Sequence, residues 1–90
     1  MRLNMPTISQ FYGIIIRMFF AEHAPPHFHA EYGEHKASIN IQTFEVIDGK
    51  LPRRALSLTL DWAELHQEEL MADWDKCRLH HNPDKIKPLT

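Results

Sequence analysis

The segment HAPPHFHAEYG, which begins at His23, contains three histidines and two adjacent prolines. After the prolines, His27 and His29 alternate with apolar residues, so a β-strand would present both imidazoles on one face. Two imidazoles at this spacing can bind one zinc ion. A third ligand is available from His23, Glu31 or His35, and we take His23 as the candidate. The sequence therefore predicts a metal site formed by His23, His27 and His29, with a divalent ion such as zinc.

The same strand face also fits acid–base or phosphate chemistry on RNA. Histidine exchanges protons near neutral pH, so His27 and His29 are candidates for proton transfer. Glu31 lies on the same predicted face and is placed to orient one imidazole. Lys36 would reach this face from the following strand. We therefore take His27, His29, Glu31 and Lys36 as the candidate catalytic residues.

A third interpretation assigns these histidines no chemistry. A solvent-facing strand surface accommodates histidine readily, and His23 and His27 flank the two prolines. Their ring nitrogens can hydrogen-bond the backbone groups of the turn that the prolines force. The sequence leaves the metal site, the catalytic site and this structural role open.

Basic residues form a second candidate site near the start of the predicted helix. Lys50, Arg53 and Arg54 fall within five residues, and both arginines occupy the first helical turn, where the helix dipole disfavours cations. Together with free backbone N–H groups they would bind a phosphate or the acidic side chains of a partner. Alternatively, the arginines cover apolar surface or reach acidic residues one turn further on. The sequence contains no glycine-rich phosphate loop and no Ser-His-Asp set.

Length and composition limit the class of protein. With 90 residues, 43% of them hydrophobic and 24% charged, the chain predicts one domain with a modest core. Its one cysteine, Cys77, cannot form an internal disulfide, which favours a cytoplasmic location. A net charge of -2 gives no overall attraction to nucleic acid. The most apolar run is about half the length of a membrane-spanning helix and carries Arg17, so we predict no membrane association.

Hydrophobic periodicity indicates the elements that must position these residues. Residues 1–10 are interpreted as a lead-in, residues 11–49 as an antiparallel β-meander, residues 52–79 as one helix and residues 80–90 as a tail. The first strand is expected to run without a break through the apolar residues 11–20. The predicted fold is α+β, with three or four strands and one long C-terminal helix packed on the sheet in a single domain.

The predicted helix is apolar on two sides. The stripe expected to pack on the sheet consists of Leu56, Leu60, Ala63, Leu70, Trp74 and Cys77. Leu58, Trp62 and Leu65 fall on nearly the opposite side of the helix. This second apolar face predicts either a sheet that curls around the helix or a homodimer interface formed by Leu58, Trp62 and Leu65.

Several motifs together resemble one bacterial family. They are MPTISQFYGIIIRMFF, HAPPHFHAEY and GKLPRRAL followed by WAELHQEELMADW, and they are similar to domain of unknown function 4160 from Met5 to about Lys76. Residues 1–4 would precede the usual start of the family. The family has no assigned chemistry. The resemblance implies a small accessory or toxin–antitoxin component with a protein partner encoded nearby.

The sequence therefore predicts a small cytoplasmic protein that acts through a protein partner, as a toxin–antitoxin component. Its working surface would be the strand face with the histidines. The alternative function is a small metal-dependent or histidine-based nuclease or phosphate-binding protein that uses the His-x-His strand face.

Overall fold

The computed structural model describes residues 6–90, which form one antiparallel sheet and two helices. The strands, each paired with the next, are β1 (Thr7–Phe11), β2 (Ile14–Arg17), β3 (His27–Tyr32), β4 (His35–Asn40) and β5 (Val46–Gly49). The helices are α1 (Arg53–Leu65) and α2 (Gln67–Arg78). The α+β class and the meander are confirmed, whereas three or four strands and one long helix were only roughly right. The predicted extension over residues 1–4 lies outside the described residues.

The apolar run over residues 11–20 is not one strand, because a tight turn interrupts it. Tyr12 and Gly13 both have positive φ angles, 49° and 81°. A two-residue turn with this backbone matches the twist of a β-hairpin, and glycine adopts the second position without strain. Phe11 therefore lies opposite Ile14, and residues 7–10 of the predicted lead-in belong to β1. The turn was not predicted because residues on both sides of it are apolar.

The long predicted helix is divided at His66, whose φ of -124° and ψ of 25° are not helical. The His66 N–H donates to the carbonyl of Ala63, and the carbonyl of His66 accepts from the N–H of Leu70. Gln67 Nε2 donates to the carbonyl of Ile41 at 2.9 Å, which anchors the start of α2 to the end of β4. Neither glycine nor proline marks the break, so the sequence pattern does not predict it. No helix within residues 6–90 is long and apolar enough to cross a membrane.

The helices cover the apolar face of the sheet, and Trp62 lies at the centre of this core. Its indole is fully buried, with ring centroids 5.4 Å from Phe11 and 5.9 Å from Phe28. Its Nε1 donates to the carbonyl of Lys87 at 2.9 Å, because the C-terminal tail folds back over α1. The placement of Trp62 on an exposed dimer interface was therefore wrong. Of its two proposed companions, Leu58 is partly buried and Leu65 is exposed.

A candidate metal site on the polar face of the sheet

The sheet face turned away from the helices carries a polar row that crosses all five strands. Strand pairing aligns Thr7, Arg17, His29, Ser38 and Asp48 from β1 to β5. Within the row, Arg17 Nη1 donates to Thr7 Oγ1 at 3.0 Å, and Ser38 Oγ lies 3.2 Å from His29 Nδ1. Because side chains alternate along a strand, the row follows from the same two-residue pattern that buries the opposite face. The row provides a continuous polar surface in which His29 is central.

Glu22 forms a compact cluster with His27 and His29. Glu22 lies in the loop after β2, and its Oε1 is 3.0 Å from His27 Nε2 and 2.6 Å from His29 Nε2. One ligand atom from each of the three side chains lies within 4.8 Å of the other two. Two imidazole nitrogens and one carboxylate oxygen are the donor set of many zinc hydrolases and of some non-haem iron sites. The loop therefore adds the third ligand that the strand lacks.

Both histidines turn the same ring nitrogen, Nε2, toward Glu22, because their other nitrogens are held in place. His27 Nδ1 lies 2.8 Å from the carbonyl oxygen of Pro25. His29 Nδ1 lies 3.2 Å from the hydroxyl of Ser38. Histidines that bind metals almost always engage the second ring nitrogen with a carbonyl, a carboxylate or water, and this contact sets the tautomer. The cluster therefore has outer contacts of the kind that orient metal ligands.

His27 has an unusual pair of neighbours, since both of its ring nitrogens face hydrogen-bond acceptors. The Pro25 carbonyl cannot donate, and neither can the ionised carboxylate of Glu22. A neutral imidazole has one N–H group and can satisfy only one of them. Both acceptors are satisfied if His27 carries two protons and donates to each of them. They are also satisfied if Nδ1–H donates to Pro25 while Nε2 and Glu22 bind the same metal ion.

Aromatic rings fix the planes of the two imidazoles. Phe19 stacks on His29 with a centroid distance of 4.1 Å and an interplanar angle of 14°. Trp74 of α2 lies 5.2 Å from the ring of His27. The side chains of the two histidines are 12% and 19% exposed, so the site opens to solvent through a small area. Restricted rings lower the entropy that is lost when a ligand binds.

The other predicted site residues have different positions. His23 is exposed and is not part of the cluster, so the structure brings Glu22, rather than His23, to the two ring nitrogens. Glu31 accepts a hydrogen bond from Arg17 Nε at 3.1 Å instead of orienting an imidazole. Lys36 lies opposite Glu31 in the sheet and is exposed. Sequence periodicity missed Glu22 because a loop residue has no fixed direction relative to the strands.

A cleft extends from the cluster along the same face of the sheet. One part is bordered by Glu22 and His27, and a second part of about 350 Å³ reaches Lys36. His29 and Ser38 border both parts. Asp48 also borders both parts, so the two parts of the cleft are adjacent. The three ligand atoms therefore lie at one end of a groove with space for a small ligand group.

Residues 13–75 match the family model described as Domain of unknown function (DUF4160), which is well over half of the chain. The chain belongs to the DUF4160 family. The match begins at Gly13, eight residues after the expected start at Met5, so β1 lies outside it. Glu22, His27 and His29 all lie inside the match. No curated protein and no solved structure matches the chain.

The basic residues of this DUF4160 protein lie near the start of α1, and all of them are exposed. Pro52 precedes the helix without a side-chain cap, and the first turn contains no acidic residue. Of Lys50, Arg53 and Arg54, Arg54 borders a cleft of about 480 Å³ with Tyr12. An anion site at these three residues stays a prediction.

Two titratable groups of α2 lie under the sheet and not in the metal cluster. Burial raises the pKa of the Cys77 thiol to about 11, so this side chain is not a thiolate ligand or nucleophile at neutral pH. Burial also raises the pKa of Asp73 to about 6, although its Oδ1 accepts a hydrogen bond from the N–H of Asp84. The other carboxylate oxygen of Asp73 has no partner within residues 6–90.

Proposed function

We propose that this DUF4160 protein binds one divalent metal ion through Nε2 of His27, Nε2 of His29 and the carboxylate of Glu22. Zinc is the first candidate because two histidines and one glutamate form a common zinc donor set. The position of His27 between two acceptors carries the proposal, since an ion at Nε2 lets Nδ1–H donate to Pro25 and replaces the contact with Glu22 by shared coordination. Without a metal ion, His27 would need two protons to donate to both acceptors.

Three protein ligands favour a reactive site over a structural one. Structural zinc sites are closed by four protein ligands, whereas catalytic zinc sites keep one position for water or substrate. The cluster contains three such ligands within residues 6–90, and a cleft begins beside it. Zinc in such a site supplies a Lewis acid and lowers the pKa of bound water toward neutrality. The metal-dependent form of the alternative function predicted for the His-x-His strand face is therefore the function that the geometry supports best.

The test is a metal analysis of the full chain purified without a histidine tag. Plasma mass spectrometry should find close to one zinc ion per chain after zinc loading and gel filtration. Removal of the ion with a chelator should lower the melting temperature, because a ligand that binds only the folded state stabilises it. Substoichiometric metal together with an unchanged melting temperature on zinc addition would reject the site.

Action through a protein partner in the cytoplasm, as one member of a toxin–antitoxin pair, is a separate proposal that rests on the family resemblance. Exposed apolar side chains such as Tyr12, Ile47 and Leu65 offer surface for a partner. Co-expression with the neighbouring small open reading frame, followed by affinity capture of this chain, tests it. Capture of this chain alone would contradict the proposal.

A further inference from the structure

We propose that the cleft beside the metal cluster binds a phosphate ester group, with oxygens shared between the bound ion and the ammonium of Lys36. The inference rests on the proposed metal site and names the substrate class for it. Lys36 borders the same cleft as His29, at the end away from Glu22. Once an ion is bound, one end of the cleft carries the positive charge of the ion and the other end carries that of Lys36.

Lys36 borders the cleft, and its ammonium group is available to bind an anion. It lies two residues from Ser38 on the same strand, which corresponds to about 7 Å along the sheet. Ser38 contacts His29, so Lys36 is the next residue along this face of β4 from the cluster, and it borders the same cleft. Within residues 6–90 the ammonium of Lys36 makes no hydrogen bond or ion pair. A lysine in this state is available to a phosphate, for which lysine is a common ligand.

The ion pair between Arg17 and Glu31 leaves Lys36 available. Glu31 lies directly opposite Lys36 in the sheet and would be its natural partner. Its Oε2, however, accepts a hydrogen bond from Arg17 Nε at 3.1 Å, and both side chains are about one-fifth to one-quarter exposed. The arginine therefore offsets much of the negative charge of Glu31, which weakens the attraction between Glu31 and Lys36.

The charges around the cleft make anion binding depend on the metal. Three carboxylates, those of Glu22, Glu31 and Asp48, outnumber the two cations Arg17 and Lys36. With both imidazoles neutral and no ion, the site has a net negative charge that disfavours a phosphate, and a divalent ion reverses the sign of this charge. The same count disfavours a cationic ligand at the loaded site. A phosphate ester fits because its tetrahedral oxygens point in several directions and can contact the ion and Lys36 together.

Asp48 adds a negative charge to the cleft and lies opposite Ser38 in the sheet. A β-bulge opposite Ser38 and Ile39 inserts Ile47 into β5, and both Ile47 and Asp48 border the cleft. Bulges often redirect side chains next to functional sites. The carboxylate of Asp48 has no partner within the described part of the chain. Asp48 borders both parts of the cleft, so removal of its charge should strengthen phosphate binding, whereas removal of the charge of Lys36 should weaken it.

Titration calorimetry with phenyl phosphate tests the proposal on the full chain, loaded with one equivalent of zinc and freed of excess metal. We expect Lys36→Gln to weaken binding about tenfold, as for the loss of one charged hydrogen bond. Asp48→Asn should strengthen it about two- to fivefold, which is the scale of one exposed like-charge contact. Lys85→Gln removes an exposed lysine of the tail and is the matched control, with unchanged affinity. Zinc content is measured for every variant.

The outcomes separate the two proposals. If the protein binds no zinc, the proposed function fails and this inference fails with it. If zinc binds and phenyl phosphate does not, only this inference is rejected. Equal affinity of Lys36→Gln and Lys85→Gln also rejects it, because the anion would then bind elsewhere. Binding of benzoate as tight as that of phenyl phosphate would show a carboxylate site and reject the assigned class.

Discussion

Glu22 and His29 are seven residues apart in the chain, yet Glu22 Oε1 lies 2.6 Å from His29 Nε2. This contact joins a loop without regular structure to the central strand of the sheet. It makes Glu22 a candidate ligand, whereas His23, the next residue in the sequence, lies outside the cluster.

Substitution of Glu22 should weaken metal binding, whereas substitution of the adjacent loop residue His23 should not. Glu22→Gln removes a charged ligand and should lower zinc affinity at least tenfold, since even contacts outside the ligand set contribute 10- to 100-fold. His23→Ala should retain the affinity, because His23 is exposed and lies outside the cluster. Competition with a chromophoric zinc chelator measures both constants. Loss of zinc from His23→Ala with retention by Glu22→Gln would restore the ligand set predicted from sequence.

The hydroxyl of Ser38 is expected to act as a positioning group for His29. Ser38→Ala removes the partner of His29 Nδ1 and should weaken zinc binding about tenfold while the fold stays intact. Ser57→Ala changes an exposed serine of α1 and provides the control. Ser38→Thr keeps the hydroxyl and should recover most of the affinity. A Ser38→Ala protein with the control's zinc affinity would show that the contact does not position the ligand.

Asp73 should make stability fall as the pH rises. Burial raises its pKa in the folded chain from 3.8 to about 6, so the folded state holds the proton more tightly than the unfolded state. Its contribution is fully present below pH 4, is lost as the pH rises through 6, and changes little above that. The expected loss in unfolding free energy is on the order of 2 kcal/mol.

Asp73→Asn should remove this dependence, because the amide keeps an acceptor for the Asp84 N–H and carries no charge. Urea unfolding at several pH values should show the variant gaining stability relative to the wild type between pH 4 and 6. Asp75→Asn, which changes an exposed residue of the same helix, is the control. A constant difference between Asp73→Asn and the wild type across this range would contradict the prediction.

Trp62 and Leu65 should behave differently although the sequence placed both on one face. Trp62→Ala empties the centre of the core and should lower the unfolding free energy by about 3 to 5 kcal/mol. Leu65→Glu changes a side chain that is 70% exposed, so the stability of the monomer should change by less than about 0.5 kcal/mol.

Light scattering then tests the predicted homodimer with a variant that folds. We expect the wild type to have the mass of a dimer and Leu65→Glu the mass of a monomer. Ser57→Ala, which changes an exposed residue of the same helix, should keep the mass of the wild type. A monomeric wild type, or an unchanged mass for Leu65→Glu, would exclude Leu65 from such an interface.

The sequence by itself determined the features that depend on local periodicity. Alternation along β3 and β4 placed His27 and His29 together on the polar face and buried Phe28 and Ala30 opposite them. Local steric preferences set this pattern, because successive strand side chains point to opposite faces whatever the rest of the fold does. The α+β class followed from the same short-range signals, whereas the family resemblance rested on the motifs themselves.

Tertiary structure alone decided what depends on packing between distant segments. The turn at Tyr12 and Gly13 split an apolar run that looks continuous, and the folded-back tail buried Trp62. Glu22 reached the histidines because its loop packs against α2, where the Ala21 N–H donates to the carbonyl of Cys77. Loop direction has no period along the chain, so the third ligand was set by contacts between residues far apart in sequence.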